Sequence, residues 1–438
     1  MGDKRLKVLL VIEQCNPDIV SVPLVGYQFY RELDKVADIT LVTHSRNQAA
    51  FSLRKQHKNV VFIHESKFNI RYYKTIVQLA LKDGKTTSNG VNWPLYHALG
   101  YPIYAEFSQK VYQRFRQDVL NNQYDIVHGI TPMMPRYPFK IVEACRTTPF
   151  LLGPVNGGIP FPKNFVDKAR QEKNYLNFLR VLGRNLIPGY VRTYKQASRI
   201  LTGSTYTMSL LQKMFNLPQD KIGLFYENGL ENYWINPVER KDFQENNRTI
   251  NLLFVGRLVP YKCADIVVKS VHQLKNSVKN RVKLTIIGSG PEQLHLQHLA
   301  QSLGLSPMIN FTGFVSQPEI VRYYREADIF CFPSIREFGG AVVLEAMASG
   351  LPCIVTDYGG IGEYVTDQTG FKIAPESAEY LIHEMKTKIE LLVENPNLWQ
   401  QMSSHSIERA KEFLWEKKAR GILNIYQELV LQNLENAI

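Results

Sequence analysis

The residues best placed to do chemistry stand in one short stretch, Ser334–Pro352, in the second half of the chain. Gly339 and Gly340 precede an apolar run that predicts a helix over about Ala341–Ser349. Backbone N–H groups at a helix start can approach a phosphate closely where the residues lack side chains, and the helix dipole favours the negative charge. The stretch therefore predicts an anion-binding site.

Two glutamates flank this predicted anion site. Glu337 lies just before the glycines, and Glu345 lies about one turn inside the predicted helix. A carboxylate beside an anion is electrostatically unfavourable unless it serves the ligand, for instance by accepting hydrogen bonds from sugar hydroxyls. An ordinary helix with solvated glutamates is the plainer alternative. The surrounding motifs favour the first interpretation.

The elements that must position these residues alternate between short apolar strands and helices along the chain. Helices are predicted, for example, at Ala264–Leu274 and Pro291–Leu303. Continuous apolar runs are typical of parallel strands covered on both faces, and such sheets bind ligands at the carboxyl ends of their strands. The alternation predicts two doubly wound α/β domains. The predicted strands are Lys7–Ile12, Asp38–Thr43, Val60–His64, Asp125–Gly129, Phe150–Gly153, Arg199–Thr202, Asn251–Val255, Lys283–Ile287, Ile309–Thr312, Ile329–Phe332 and Pro352–Thr356.

A polar segment, Asn232–Thr249, separates the two halves and predicts an interdomain linker. It contains Asn236-Pro237 and a charged run ahead of a new strand. We therefore place a first domain at residues 1–240 and a second at residues 241–419. The length of 438 residues fits two or three domains.

The composition, with 45% hydrophobic, 11% aromatic and 21% charged residues, is that of an ordinary globular protein and excludes a disordered chain. No apolar run approaches the roughly 20 residues that span a bilayer, so an integral membrane protein is not expected. The five cysteines are widely spaced, odd in number and form no Cys-x-x-Cys motif. They predict a reducing cytoplasmic location, with no disulfide and no metal site.

The excess of positive charge lies in the first half of the chain. Residues 1–240 contain 32 Lys and Arg against 18 Asp and Glu, whereas residues 241–438 contain 20 against 22. This asymmetry implies an anionic partner: a membrane surface, an anionic substrate or nucleic acid. No nucleic-acid-binding motif accompanies the charge, so nucleic acid is the least favoured of the three.

Residues 163–199 concentrate this charge, with nine Lys and Arg against Asp167 and Glu172. Aromatic residues such as Phe165, Tyr190 and Tyr194 lie among the cations. A basic amphipathic stretch is typical of a segment that lies on an anionic membrane. A solvated helical face with an ordinary apolar stripe is the alternative.

The motifs of the second half together resemble a known family. Glu337 and Glu345 form a Glu-x7-Glu motif, similar to that of the retaining nucleotide-sugar glycosyltransferases of the GT-B fold, family 4, also called group 1. The resemblance is continuous from about 250 to 430 and weaker before, where Asp125–His128 and Gly153–Gly158 carry it. The other matching segments are Phe254–Lys262, Ile286–Pro291, Phe311–Val315 and Gly359–Glu363, with Phe413, Trp415, Ala419 and Tyr426 near the end.

This resemblance implies an α/β protein of the GT-B fold, with two Rossmann-like domains facing across a cleft. The closing helix, at about residues 420–438, would pack back on the first domain. The second domain would bind a nucleoside-diphosphate sugar and the first an acceptor. The implied reaction is transfer of a hexosyl group to an acceptor hydroxyl with retention of configuration, by same-face attack in which the departing phosphate takes the acceptor proton.

Two cations in the loop after a predicted strand match the family's phosphate-binding pair. Arg257 and Lys262 lie five residues apart, so both can face the carboxyl end of the strand. The resemblance implies that they neutralise the leaving diphosphate through charge-assisted hydrogen bonds. Taken alone, Arg257 would be a surface salt-bridge partner. No Asp-x-Asp motif occurs in the chain, so we expect two fixed cations in place of a metal and no cofactor.

The resemblance also implies roles at the predicted helix start. Glu345 would accept both ribose hydroxyls of the nucleotide, and Glu337 would contact hydroxyls of the donor sugar. The N–H groups near Gly339, Gly340 and Ala341 would contact the phosphate or the sugar ring.

Four further residues match donor-binding positions of the family. Gly288 and Gly290 would allow a close backbone approach after a strand, although such a pair is more often a plain turn. Phe314 and Val315 would present backbone groups to the base, with core packing as the alternative.

Three residues of the first half are candidate site residues, one of them catalytic and two of them on the acceptor side. His128 ends an apolar strand and, by resemblance, would reach the donor sugar, orient it and stabilise charge; a satisfied structural histidine is the alternative. Gly26, the single glycine of a first loop where the family commonly has two, is a candidate for the acceptor side. Asn156, before two glycines, is a candidate for the acceptor side.

The expected partners are therefore a nucleotide-sugar and a carbohydrate or lipid-linked acceptor, in polysaccharide, glycolipid or envelope glycan synthesis. We expect a cytoplasmic protein, with residues 163–199 as a possible contact with the inner face of the membrane. A sugar-nucleotide epimerase, a phosphorylase and a non-catalytic glycan- or membrane-binding module are the alternatives.

Overall fold

The computed structural model describes residues 5–54, 59–80, 99–135, 137–172, 187–235 and 248–435. The chain divides into two compact units. The first comprises Met1–Gly158, Tyr175–Glu227 and Trp415–Ile438, and the second comprises Ile159–Asn174 and Asn228–Leu414. The change of unit after Glu227 precedes the predicted linker, of which residues 236–247 lie outside the described part of the chain.

Seven parallel strands form the sheet of the first unit, in the order β3-β2-β1-β4-β5-β6-β7. The order reverses between β1 and β4, which defines a topological switch point at the carboxyl edge of the sheet. The strands are β1 (Lys7–Ile12), β2 (Asp38–His44), β3 (Val60–Ile63), β4 (Ile126–Thr131), β5 (Phe150–Val155), β6 (Arg199–Thr202) and β7 (Ile222–Leu224).

Helices cover both faces of this sheet. Alternate residues of β1 divide between two apolar clusters: Leu9 and Val11 pack in one, and Val8 and Leu10 in the other. This double burial explains why the strands are continuous apolar runs. The described helices of the unit are Val22–Val36, Gln48–Ser52, Lys67–Ala80, Tyr101–Leu120, Tyr190–Gln196, Thr205–Phe215 and Trp415–Glu435.

The last of these helices, Trp415–Glu435, packs in the first unit although it follows the second in the sequence. Its buried residues Trp415, Ile422 and Tyr426 belong to the same apolar cluster as Val8 and Phe29. The indole ring of Trp415 lies edge-on to Phe29, with 5.0 Å between the ring centroids. The chain terminus therefore completes one face of the first core.

Six parallel strands form the sheet of the second unit, in the order β10-β9-β8-β11-β12-β13. The order reverses between β8 and β11, so the two loops after these strands meet at a second switch point. The strands are β8 (Ile250–Val255), β9 (Val282–Ile287), β10 (Ile309–Gly313), β11 (Ile329–Phe332), β12 (Cys353–Thr356) and β13 (Gly370–Ile373). The prediction of two doubly wound α/β domains is confirmed.

Helices again separate the strands of the second unit, and none of the helices that the structure describes in either unit is long and apolar enough to cross a membrane. The helices of the second unit are Val166–Gln171, Ala264–Gln273, Asn276–Lys279, Gln293–Ser302, Gln317–Glu326, Ala341–Ala348, Gly360–Tyr364, Ala378–Glu394 and Pro396–Ala410.

The basic stretch 163–199 does not form one exposed amphipathic face in its described part. Phe165, Tyr190 and Tyr194 are buried, because they pack in the protein's own cores. Residues 163–172 lie in the second unit and residues 187–199 in the first. Residues 173–186, with the remaining aromatics and three of the cations, lie outside the described residues.

Candidate functional site

The loops after β8 and β11 bring Lys262 and Glu337 together. Lys262 ends the short 3-10 turn Pro260–Lys262, and its ammonium group forms an ion pair with Oε2 of Glu337. Both side chains are largely buried, with 10% and 16% of their surface exposed. The cation and the carboxylate predicted to meet a ligand therefore lie at one point of the fold.

The backbone of the two loops is tied together beneath this ion pair. The N–H of Ile335 donates to the carbonyl oxygen of Tyr261 at 3.0 Å. The buried Ser334 hydroxyl lies 3.3 Å from the same oxygen and 3.4 Å from Oε2 of Glu337. These bonds fix the two loops relative to each other, so the ion pair is part of a rigid edge.

Arg257 lies in the same loop as Lys262 and is exposed. Its guanidinium donates to the hydroxyl of Tyr261 at 2.7 Å. The other guanidinium N–H groups face no acidic partner among the described residues, so this cation can bind an anion in a bidentate manner.

The predicted helix start is present, and glycine is required at it. Gly340 has φ 63°, in the left-handed region, and the helix Ala341–Ala348 begins after it. A Cβ at Gly340 would overlap the side chain of Ile361 and lie 2.9 Å from Cγ of Glu337. The first N–H groups of a helix have no intrahelical acceptor, so those near Gly339–Ala341 are donors beside Glu337.

Glu345 lies one turn into this helix and is held by a buried tyrosine. The Tyr324 hydroxyl donates to Oε2 of Glu345 at 2.9 Å. Burial disfavours the charged form and raises the pKa of Glu345 from 4.5 to about 7, although the Tyr324 hydrogen bond opposes the shift. Hydroxyl donors from a ligand would stabilise the carboxylate further.

Gly288 and Gly290 have a structural reason to be glycine. Gly288 has φ 135°, and a Cβ there would overlap the carbonyl oxygen of Gly256. A Cβ at Gly290 would overlap the carbonyl oxygen of Leu258. The close backbone approach predicted from these glycines is thus to the loop that carries Arg257.

Phe314 and Val315 follow β10 at the carboxyl edge of the same sheet. The side chain of Phe314 is 78% exposed, so the core-packing alternative does not hold for it. Val315 is half-buried. An exposed aromatic ring at a strand end is suited to stack on a planar ligand group.

The structure corrects the prediction for His128. The side chain is fully buried, Nε2 lies 2.7 Å from the carbonyl oxygen of Gly153, and Nδ1 lies 2.7 Å from the hydroxyl of Tyr426. Burial lowers its pKa to about 4, so the ring is neutral. A carbonyl only accepts, so Nε2–H donates to Gly153 and Nδ1 accepts from Tyr426. With both nitrogens engaged, His128 is a structural residue and has no group left for a sugar.

Gly26 and Asn156 are also placed differently from the prediction. Gly26 lies inside the helix Val22–Val36, not in a loop, and a Cβ there would overlap the carbonyl oxygen of Gln14. Asn156 is buried, and its amide nitrogen donates at 2.9 Å to each carboxylate oxygen of Glu227. Its amide oxygen accepts from the hydroxyls of Ser204 and Thr207. The close packing of the first unit requires a glycine at position 26, and hydrogen bonds within that unit engage the amide of Asn156.

Sequence reasoning missed a charged cluster at the carboxyl edge of the first sheet. Glu13 follows β1, His44 ends β2, and Glu65 lies just after β3. Arg46 pairs with Glu65, and Nε2 of His44 lies 3.5 Å from Glu65. Burial raises the pKa of Glu13 to about 7, with Arg46 opposing the shift. The signal available in the sequence was position, because these three polar residues lie at or just after the carboxyl ends of three adjacent strands.

Comparison with known proteins agrees with this architecture. Residues 236–412 match the family described as "Glycosyl transferases group 1". An uncharacterized glycosyltransferase of Methanocaldococcus jannaschii is 29% identical over 199 residues, which cover 43% of this chain and 50% of that protein. D-inositol 3-phosphate glycosyltransferase 2 of Catenulispora acidiphila is 30% identical over 188 residues, covering 41% and 43%. The chain thus spans half or less of the length of these curated relatives.

Similarity to solved structures extends over nearly the whole chain. The crystal structure of HepE from Anabaena in complex with UDP-glucose covers 97% of this chain and 100% of its own, with a TM-score of 0.60 at 16% identity. The two sheets and this likeness define an α/β protein of the GT-B class, built from two Rossmann-like domains. Within this fold, the match to the glycosyl transferases group 1 falls on residues 236–412, inside the segment Asn228–Leu414 of the second unit.

Proposed function

We propose that the protein is a glycosyltransferase that moves a sugar from a nucleoside-diphosphate sugar to an acceptor hydroxyl. One observation carries the proposal. The loops after β8 and β11 bring Lys262 and Glu337 together beside the glycine-led start of the helix Ala341–Ala348. Cations, backbone donors and a carboxylate at one sheet edge suit a ligand that has both a diphosphate and hydroxyl groups. The group 1 match of this region supports the same donor class.

The proposed chemistry is stabilisation of the leaving diphosphate. Negative charge builds on the phosphate oxygens as the glycosyl–phosphate bond breaks. Lys262, Arg257 and the N–H groups at the helix start would receive this charge, and preorganised groups need no reorganisation during the reaction. We propose that these cations act without a metal. Because both nitrogens of His128 are engaged, the mechanism gives that residue no role.

The two glutamates would hold the sugars of the donor. Glu345 would accept hydrogen bonds from the ribose hydroxyls in its ionised form. Glu337 would exchange part of its contact with Lys262 for hydroxyls of the transferred sugar. A UDP-sugar is the first donor to test, since HepE, a protein of the same fold, was crystallised with UDP-glucose.

We further propose retention of the anomeric configuration, with same-face attack and proton transfer to the departing phosphate. The acceptor would be a carbohydrate or a lipid-linked sugar in polysaccharide, glycolipid or envelope glycan synthesis, bound by the first unit. The cluster Glu13, His44, Arg46 and Glu65 supports this, because carboxyl groups and a guanidinium at a sheet edge can bind hydroxyl groups. Contact of residues 163–199 with a membrane stays a prediction.

Thermal unfolding with UDP, GDP, ADP and TDP in EDTA tests the donor site. Wild type, Glu345→Ala and Glu379→Ala are compared, the last being an exposed glutamate of the same unit. We expect one nucleotide to stabilise wild type and the Glu379 variant. Loss of hydrogen bonds to a charged group, worth about 1.5–3 kcal/mol, should weaken binding at least tenfold in Glu345→Ala. Equal stabilisation of all three proteins, or of none, would contradict the proposal.

A further inference from the structure

A segment that enters from the first unit belongs by its contacts to the second. It follows β5 in the sequence, and its described residues are Ile159–Glu172, which we call the strap. The strap contains the short helix Val166–Gln171. Each of its contacts described below is made within the second unit, to loops that also carry the candidate donor-site residues.

The first contact is with the residue that precedes Glu337. Nε of Arg336 donates to the carbonyl oxygen of Ile159 at 3.0 Å. The guanidinium carbon lies 5.0 Å from the ring centroid of Phe161 and 5.7 Å from that of Phe338. A cation between two aromatic rings, with a directed hydrogen bond, has little freedom to reorient. Arg336 is thus held by the strap on one side of the loop and is bonded to Glu337 through the backbone.

The second contact is with the turn that carries Lys262. The helix Val166–Gln171 packs on the turn Pro260–Lys262. Beside it, Nζ of Lys168 lies 2.7 Å from Oδ1 of Asp265, in the first turn of the next helix. Only 17% and 14% of these two side chains is exposed, so solvent screens the ion pair weakly.

A third contact is with the loop after β12. The hydroxyl of Tyr358 donates to the carbonyl oxygen of Pro160 at 3.2 Å. A Cβ at the next residue, Gly359, would lie 2.9 Å from Cδ1 of Ile159. The N–H of Gly360 in turn donates to the carbonyl oxygen of Glu337 at 3.2 Å. The strap therefore supports the loop of Glu337 from two sides.

We propose that Arg336 is a positioning residue: through it the strap holds Glu337, while the helix Val166–Gln171 of the strap holds the turn of Lys262, so that the two side chains keep their reactive arrangement. This inference rests on the proposed function. An ion pair of two long side chains keeps a productive geometry only when surrounding contacts limit its alternatives. The loops supply one set of such contacts, through Ser334 and Tyr261, and the strap supplies the other. Loss of the strap contacts should therefore lower turnover more than it lowers nucleotide binding.

The test compares Arg336→Gln and Arg336→Lys with wild type. Arg170→Gln is the matched control, since it removes a cation of the strap whose side chain is 76% exposed. The probes are UDP affinity by titration and hydrolysis of UDP-glucose, GDP-mannose and ADP-glucose, with water in place of the acceptor. For the hydrolysed donor, we expect Arg336→Gln to lower kcat at least tenfold with KM within twofold. Arg336→Lys, which keeps a cation and a donor, should recover a large part of the loss. Arg170→Gln should match wild type.

Hydrogen exchange provides a readout that does not need activity. In Arg336→Gln, peptides covering residues 257–264 and 334–342 should exchange faster, while peptides of β11 and β12 keep their wild-type protection. Lys168→Gln should produce the same local change with smaller amplitude, and it replaces Arg336→Gln if that variant does not fold.

The outcomes separate the two proposals. Absence of nucleotide binding and donor hydrolysis in wild type would contradict the proposed function, while exchange still tests the strap. Unchanged kcat and unchanged local exchange in Arg336→Gln would overturn the inference. A loss of kcat that is matched by losses of UDP affinity and of thermal stability would also overturn the inference, because a purely structural residue gives that pattern.

Discussion

At the scale of single residues, Glu345 combines a cost in stability with a proposed benefit in binding. Burial raises its pKa from 4.5 to about 7, so the folded protein favours the neutral form. Stability is therefore lost as pH rises from the unfolded value through the folded one, and the loss is complete above about pH 7. The carboxylate that would serve a ligand is maintained against this cost.

Replacing Glu345 by Gln should therefore stabilise the protein at high pH. The amide can still accept from the Tyr324 hydroxyl, but it carries no buried charge. We expect a gain on the order of 2 kcal/mol at pH 8.5, shrinking towards zero at pH 5. Urea unfolding at both pH values measures it. A gain of the same size at both would mean that packing, and not ionisation, causes the difference.

The same pKa predicts how donor binding changes with pH. A nucleotide-sugar has no phosphate group that titrates near pH 7, so the titration of Glu345 should dominate. Affinity of wild type should rise about tenfold between pH 5.5 and pH 8, since ribose hydroxyls bind the ionised carboxylate. Calorimetric titration measures this rise, with Glu345→Gln as the control that shows a flat, weaker profile. A flat profile in wild type would argue against contact of Glu345 with the ligand.

His128 should behave as a structural residue. Replacement by Phe leaves the Tyr426 hydroxyl and the Gly153 carbonyl without their partner in a buried place. We expect a loss of about 2–4 kcal/mol in unfolding free energy, with nucleotide affinity and donor hydrolysis unchanged below the unfolding temperature. Denaturant unfolding and hydrolysis rates test this together. Collapse of hydrolysis with intact stability would restore the catalytic role suggested by the sequence.

The errors at this scale share one physical cause. A polar residue at the end of an apolar strand indicates a site only if the fold leaves it unpartnered. Tyr426, the partner of His128, is 298 positions away in the sequence, and Glu227, the partner of Asn156, is 71 positions away. No local pattern contains such distances. By contrast, Lys262 and Glu337 follow strands that lie side by side in a doubly wound sheet, so topology alone predicts their proximity.

At the scale of elements, the sheets were predictable because buried parallel strands are continuous apolar runs. All eleven predicted strands are present. The two missed strands, β7 and β13, have only three and four residues and contain glycine, so they show no such run. The resemblance places Gly26 in a loop after β1, where the family commonly has two glycines, whereas the structure places it inside the helix Val22–Val36. Proline is compatible with the first turn of a helix, which is where Pro23 lies.

The loops after β8 and β9 provide a test of packing at this scale. Gly288→Ala should destabilise the protein by more than about 2 kcal/mol, because it adds a Cβ that overlaps the Gly256 carbonyl at a positive φ. Gly304→Ala is the matched control, since Gly304 has φ 68° but open space around it. It should lose only about 1 kcal/mol from backbone strain. Equal losses in urea unfolding would show that conformation, and not loop packing, requires glycine at position 288.

At the scale of the whole molecule, charge composition gave less information than the positions of the charges. The cations of the basic first half include Arg192, which pairs with Glu143, and Arg199, which pairs with Glu428. Lys168 pairs with Asp265 in the second unit. The net charge therefore does not identify a binding surface. The resemblance predicts that the last helix packs with the first domain, but no pattern in the sequence indicates that the strap belongs to the second unit while the segments before and after it belong to the first.

We propose above that the second unit binds the donor at the edge formed by Lys262, Glu337 and the helix at Gly340. Hydrogen exchange by mass spectrometry, with and without the nucleotide that stabilises the protein, tests it most directly. We expect protection confined to peptides covering residues 257–262, 314–315 and 337–345, with no change around His128. Protection concentrated in the first unit, or none at residues 337–345, would contradict it.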